Sequence, residues 1–252
     1  MTFRNANESH QHSLETLNML YEYDDFMASI NTLVDLGCGE GLDLEWWATR
    51  TTRDDDVRPL NIDCIGVDIA PQLSVAKKYP NITYQSTDFE TTIHPKKNTK
   101  FDILWSHDSF QYAIDPIKTL SNWWHIANEN AMLALVLPQT TNYRARQQVF
   151  TQASGVYYHY TLVNLIHMLS LTGWDCASGF FKKNPTDTWL HAIVYRSEHK
   201  PMNPKTTTWY DLVEKKLLPE SANQCIMRFG ELRQQELLLP WLDKSLTHFG
   251  LQ

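Results

Sequence analysis

The sequence predicts an α/β protein: a doubly wound sheet of seven strands, mostly parallel with an antiparallel edge hairpin, flanking helices and a helical C-terminal appendage. Three observations predict it. Short apolar runs alternate with helical patterns along most of the chain, the signature of a parallel sheet with crossover helices. The first run, "LVDL", ends in glycines alternating with other residues and passes straight into a helical pattern. The last two runs are joined by "KKNPTD", too short for a crossover helix, so those strands must pair antiparallel.

In chain order, "SLETLNMLYEYDDFMASI" places Leu17, Leu20, Tyr21 and Met27 on an apolar stripe and predicts helix before the first strand. Strands are expected at Thr32 to Leu36, Asp63 to Asp68, Ile82 to Ser86, Phe101 to Ser106, Met132 to Leu137, Asp175 to Phe181 and Trp189 to Tyr195. Between them "LDLEWWATR", "PQLSVAKKY", "DPIKTLSNWWHIA" and "YTLVNLIHMLSLT" read as helices, the last stopping at Gly173. Beyond the sheet, Thr208 with Asp211 and Ser221 with Gln224 have capping-box spacing, and Pro219 and Pro240 divide the tail into short helices. The expected division is an N-terminal helical segment over 1–30, a core domain over 31–197 and a helical appendage over 198–252. Its Trp209, Phe229, Trp241 and Phe249 should pack on that core or form a dimer interface, leaving a monomer or homodimer.

Composition excludes several functions. A net charge of -7 and a pI near 5.8 argue against a broad phosphate-binding surface, hence against nucleic acid as partner. Cys38, Cys64, Cys176 and Cys225 are too scattered for a zinc or redox motif and fit a reducing compartment. The longest apolar run, Ala131 to Leu137, is far short of a membrane span, and the N-terminus lacks a basic stretch followed by an apolar one; a cytoplasmic protein is expected. His10 and His12 have no matching ligand cluster, so no metal is expected.

The glycines carry the chemistry. In "VDLGCGEG", Gly37, Gly39 and Gly41 bring bare backbone and a helix start against a ligand. A dinucleotide fingerprint needs Gly-x-Gly-x-x-Gly, but Leu42 stands where the third glycine should be; a phosphate-binding loop needs Gly-Lys-Ser/Thr, and no lysine follows. Asp35 and Glu40 would repel a pyrophosphate and suit a cationic amine or sulfonium. S-adenosylmethionine carries both cations.

The motif "LVDLGCGEG" resembles the first motif of class I S-adenosylmethionine-dependent methyltransferases, of the broad type-11 small-molecule group, and the chain also resembles phage-encoded members. The resemblance spans roughly 31–197 and implies a Rossmann-like fold. In "CIGVDIA" it implies that Asp68 holds both ribose hydroxyls, with Ile69 beside it. In "YQSTDFE" it implies that Asp88 accepts from the adenine amine and that the Phe89 amide faces the ring; in "FDILWSHDSFQY", Ser106 and His107 border the sulfonium and acceptor. Two departures stand out: "NENAM" replaces the usual Lys-Pro-Gly-Gly-like turn before the fifth strand, and "TRTTRDDDVRPLN" is an insertion.

Other residues have plainer readings. Cys38 is a small filler, the acidic run Asp54 to Asp56 a solvated loop, and Trp46, Trp47, Trp123 and Trp124 pack helices on the sheet. The acceptor is less legible. No Asp/Asn-Pro-Pro-Tyr/Phe stretch follows the fourth strand, which removes the main signature of exocyclic base-amine methylation. His107, Phe110, Tyr112, Gln139 and the run Tyr157, Tyr158, His159, Tyr160 should cluster over the carboxyl ends of the strands. The expected activity is methyl transfer to an oxygen or nitrogen of a small molecule; an RNA or protein methyltransferase and a catalytically silent cofactor-binding domain are the alternatives. His107 is the first candidate base and His159 the second, with Asp108 placed to orient or charge His107.

Overall fold

The computed structural model describes residues 6–22, 30–52, 57–71, 77–91, 93, 100–138, 158–183, 189–242 and 247–249. Seven strands form one sheet: β1 (Thr32–Leu36), β2 (Asp63–Asp68), β3 (Ile82–Ser86), β4 (Phe101–His107), β5 (Ala127–Pro138), β6 (Trp174–Lys183) and β7 (Trp189–Arg196). Their order is β3-β2-β1-β4-β5-β7-β6. The first five are mutually parallel, and β7 lies antiparallel between β5 and β6. The chain leaves β1 toward β2 and β3 on one side and later fills β4 and β5 on the other. This reversal falls between β1 and β4, at whose carboxyl ends such sheets bind ligands.

Both faces of the sheet are covered, which is why the strands read as unbroken apolar runs. One face packs Val34, Leu36, Leu104 and Leu133 beneath α3 (Pro116–Ile126) and α4 (Leu162–Leu171). The other packs Leu33, Ile103 and Trp105 beneath α1 (Ala6–Tyr21) and α2 (Leu42–Ala48), with Leu17, Leu20, Leu44 and Trp47 closing the layer. Trp46, Trp47, Trp123 and Trp124 are all buried between helix and sheet.

Local chemistry sets the helix ends. Asp115 caps α3 by accepting from the Lys118 amide, with Pro116 in the first turn. Thr161 and Asn164 form a reciprocal capping box on α4. Gly173 follows that helix at φ 86°, and a Cβ there would stand 2.3 Å from the His199 carbonyl oxygen, so glycine is required.

After the sheet come α5 (Trp209–Glu214), α6 (Glu220–Phe229), a 3-10 turn and the short pair β8 (Leu238–Pro240) and β9 (Thr247–Phe249). Leu212, Leu217, Leu218, Ala222, Ile226, Leu237 and Leu239 join the apolar cluster on the α3/α4 face, while Trp241 and Leu242 join the opposite one.

Several expectations are corrected. The tail holds a strand pair as well as helices. The capping box at Thr208 and Asp211 forms, but the one expected at Ser221 does not. Pro219 is the N-cap of α6, and the Ser221 hydroxyl bonds both ends of the Leu238 backbone, 2.8 Å to its oxygen and 3.0 Å from its nitrogen. Helix α1 starts at Ala6, ahead of the predicted stripe. The "NENAM" stretch lies inside β5, accommodated by a register shift between Phe101 and Ile103. Most of the expected helix in "PQLSVAKKY", the acidic run 54–56 and Met27 fall outside the described residues. No helix among the described residues is long and apolar enough to cross a membrane.

Candidate active site

The glycine loop crosses the end of β1 with all three glycines at positive φ: 90° at Gly37, 48° at Gly39 and 80° at Gly41. Each has its own reason. A Cβ on Gly37 would fall 2.2 Å from the Ser109 Cβ, so the loop lies flat on the segment after β4. Gly41 is the left-handed N-cap of α2. A Cβ on Gly39 would meet nothing within 4 Å; this glycine borders open space. The amides of Gly37 and Cys38 both donate to the Val67 carbonyl, tying the loop to β2. Burial pushes the Cys38 thiol far above its ordinary range, so it is a filler and not a nucleophile.

Acids surround the loop. Asp35 is buried, and burial first, then the charges of Asp43 and Asp68, push its carboxyl well above the usual range. Such a group is stabilised by an incoming cation. Asp68 ends β2 with one carboxylate oxygen accepting from the Gly39 amide at 3.0 Å and the other from the Ala70 amide at 2.9 Å. Each oxygen keeps a second lone pair for a ligand. Ile69, beside it, is 75% exposed, an apolar surface at the rim. Asp88 accepts from the Glu90 amide at 2.9 Å, and the Phe89 carbonyl accepts from Trp123 Nε1 at 2.9 Å while its ring packs on Trp123. Glu90 accepts from the amides of Ile114 and Asp115, fixing this turn to the start of α3.

Ser106 and His107 point to opposite faces, as successive strand residues must. Ser109 gives its proton to the Leu36 carbonyl at 2.5 Å, so Ser106 must donate to Ser109 Oγ at 2.7 Å. Its hydroxyl is therefore engaged in holding the loop. His107 turns the other way, toward Asp43 of α2, with its ring 5.5 Å from that of Trp189.

Asp43, in the first turn of α2, meets His107. Its Oδ2 lies 3.0 Å from His107 Nδ1 and 2.8 Å from Trp105 Nε1; its Oδ1 lies 2.5 Å from His10 Nδ1 and 2.7 Å from Ser13 Oγ. Burial works to raise the Asp43 carboxyl, but the His107 charge and hydrogen bonds from His10, His107 and Ser13 outweigh it and hold the group below the ordinary carboxylate range. Asp108, expected to orient His107, sits at φ 51° and accepts from Gln111 Nε2 at 2.8 Å.

The sequence did not reveal Asp43 as a hub. Its signal was one of two acids in the helix start "LDLEWW", Asp43 buried and Glu45 not, and it becomes legible only when α1 delivers His10 and Ser13. On the other side of β4, Tyr160 stacks on Phe110 at 5.2 Å and the Tyr158 amide donates to the Gln111 carbonyl. His159 lies between these two tyrosines in the chain, with its carbonyl accepting from Asn164 Nδ2. Tyr112 and Tyr158 are exposed. Gln139 and Tyr157 lie outside the described residues. Among the described residues no cluster of His, Cys, Asp or Glu is arranged to hold a metal ion.

Residues 34–135 match the family model of a methyltransferase domain. Solved structures share the fold. The CurJ carbon methyltransferase aligns at 15% identity and a TM-score of 0.53, over 67% of this chain and 49% of that one. The N-methyltransferase NodS of Bradyrhizobium japonicum WM9 aligns at 12% and 0.52, over 75% and 98%. Phosphoethanolamine N-methyltransferase 2 of Haemonchus contortus, in complex with phosphomonomethylethanolamine and S-adenosylhomocysteine, aligns at 13% and 0.55, over 73% and 53%. The chain thus spans about half the length of the first and third. No curated protein matches it by sequence. Strand order and glycine loop agree with the family match: residues 34–135 of this chain resemble a methyltransferase domain, set in a fold shared with solved methyltransferases.

Proposed function

We propose that the chain transfers a methyl group from S-adenosylmethionine to an oxygen or nitrogen atom of a small molecule. The observation that carries this reading is the enclosure of His107: its side chain is 8% exposed, and Nε2 is buried with no hydrogen-bond partner among the described residues. An unpartnered imidazole nitrogen costs free energy unless a ligand completes it. A nitrogen buried this deeply suits a small acceptor better than a polymer. The net charge of -7 supports the same choice.

The residues fit the donor. Gly39 borders open space, which in this reading takes the donor's methionyl and ribose portions, with Gly37 and Gly41 shaping the loop. In this reading Asp35 lies toward the ammonium, Asp68 accepts from the ribose hydroxyls, and Ile69 covers one side of the adenine. Asp88 and the Phe89 backbone take the adenine edge, and Ser106 acts through the loop it fastens. Bound S-adenosylmethionine supplies an electrophilic methyl on a sulfonium, already a good leaving group. What the chain must add is alignment, exclusion of water and removal of the acceptor's proton. His107 is the base in this scheme, and His159 the second candidate.

The test uses donor labelled in its methyl group, incubated with fractionated lysate. Label in small metabolites is the expected result. Label in RNA or protein would replace this reading by a macromolecular one, and donor binding with no transfer to any fraction would leave a cofactor-binding domain. The oxygen or nitrogen choice follows from the labelled product.

A further inference from the structure

We infer that Asp43 is a positioning residue for the methyl transfer: it holds His107 with the proton on Nδ1 and so leaves Nε2 as the proton-accepting atom, with α1 completing the arrangement through His10 and Ser13. The inference rests on the reading of His107 as the base and adds the group that makes it one.

The count of lone pairs carries the argument. An ionised carboxylate offers about four acceptor positions and no donor. Asp43 has four neighbours at hydrogen-bond distance: Trp105 Nε1, Ser13 Oγ, His10 Nδ1 and His107 Nδ1. An indole can only donate, and each histidine must then donate from Nδ1, since two acceptors at such distances would repel. When the ring is neutral its one N–H is held at Nδ1 by Asp43, so Nε2 carries the lone pair; when the ring is protonated it is the imidazolium whose charge holds the Asp43 carboxyl low. Nε2 is also the buried atom with no partner among the described residues. Tautomer and orphaned atom thus agree.

In the transfer step, the acceptor's oxygen or nitrogen forms a bond to the methyl carbon while the carbon–sulfur bond breaks and leaves its electron pair on sulfur. The acceptor's proton passes to Nε2. The resulting imidazolium keeps its Nδ1–H on Asp43, whose negative charge lies 3.0 Å away and balances it. The carboxylate reaches this place because three elements converge there: the start of α2 carries Asp43, the end of β4 carries Trp105 and His107, and α1 carries His10 and Ser13. Thr16 of the same helix bonds His191 on β7, and Glu15 pairs with Lys182 on β6, which anchors α1 across the sheet.

The experiment is long-range nitrogen–proton correlation spectroscopy of the nitrogen-labelled full chain near neutral pH, with the His107 signals assigned by their loss in His107→Gln. The expected spectrum shows Nδ1 protonated and Nε2 bare, and Asp43→Asn should abolish that pattern. A parent spectrum with the proton on Nε2 overturns the inference, and so does an Asp43→Asn spectrum identical to the parent's. Should Asp43→Asn fail to fold, the parent spectrum decides alone. Once the labelled acceptor fraction is known, Asp43→Asn should lower kcat by about a hundredfold or more with KM kept. A merely structural role would leave kcat of the folded variant unchanged. These outcomes separate from failure of the functional reading, because the tautomer is observable whether or not any acceptor is methylated.

Discussion

Gly37 lies so close to Ser109 that a β-carbon on the glycine would stand 2.2 Å from the serine's own. Two positions along the same loop, Gly39 has no atom within 4 Å of its missing β-carbon. The two glycines therefore answer differently to one substitution. Gly37→Ala must shift backbone at φ 90° and should cost about 2–4 kcal/mol of stability, read from the denaturant midpoint. Gly39→Ala carries only the left-handed backbone penalty, about 1–2 kcal/mol, and should instead weaken donor binding by about tenfold or more. Calorimetry showing full donor affinity in folded Gly39→Ala would remove that space from the cofactor site.

Asp68 gives the sharpest test of the ribose contact. Replacing it by Ala should cost about 1.5–3 kcal/mol of S-adenosylmethionine affinity, since two hydroxyls lose their acceptor and the Gly39 amide loses its anchor. Asp68→Asn keeps an acceptor for that amide and should lose less. Asp88→Ala should cost less than Asp68→Ala, because water can serve an adenine amine at the rim. Wild-type affinity in folded forms of both alanine variants would refute the assignment of the two acids.

Asp35 and Asp43 predict opposite stability profiles. The Asp35 carboxyl is raised, so its folded state favours the proton: stability is highest below the unfolded value near 3.9 and falls as pH rises toward the folded one. Asp35→Asn should therefore match the parent in acid and gain on it as pH rises, while showing a smaller melting-temperature increase on adding S-adenosylmethionine. The Asp43 carboxyl is lowered, so its stabilisation is present above the unfolded value and is lost as pH falls through the folded one. Melting curves from pH 3 to pH 8 that run parallel for parent and Asp35→Asn would contradict the first profile.

His107→Asn should bind S-adenosylmethionine as the parent does while turnover falls by roughly a hundredfold or more. If the ring only positions the acceptor, the loss will sit in the acceptor's KM with kcat nearly kept. Unchanged values of both would transfer the role to His159 and the neighbouring tyrosines.

The strands were legible in the sequence because each buries two faces and so reads as an apolar run, and the loop because three alternating glycines have few other uses. Turn chemistry announced α3, α4 and α5. Ser221 misled because spacing alone cannot tell a cap from a hydroxyl that fastens a distant strand such as β8. The sequence by itself determined the sheet, the glycine loop and the acids at the ends of β2 and β3, all local patterns. Only the tertiary structure decided which acid serves His107. Asp108 is its neighbour in sequence, but positive φ turns that carboxylate to Gln111. Asp43 is 64 residues away and arrives because β1 and β4 are adjacent in the sheet, which sets the start of α2 against the end of β4.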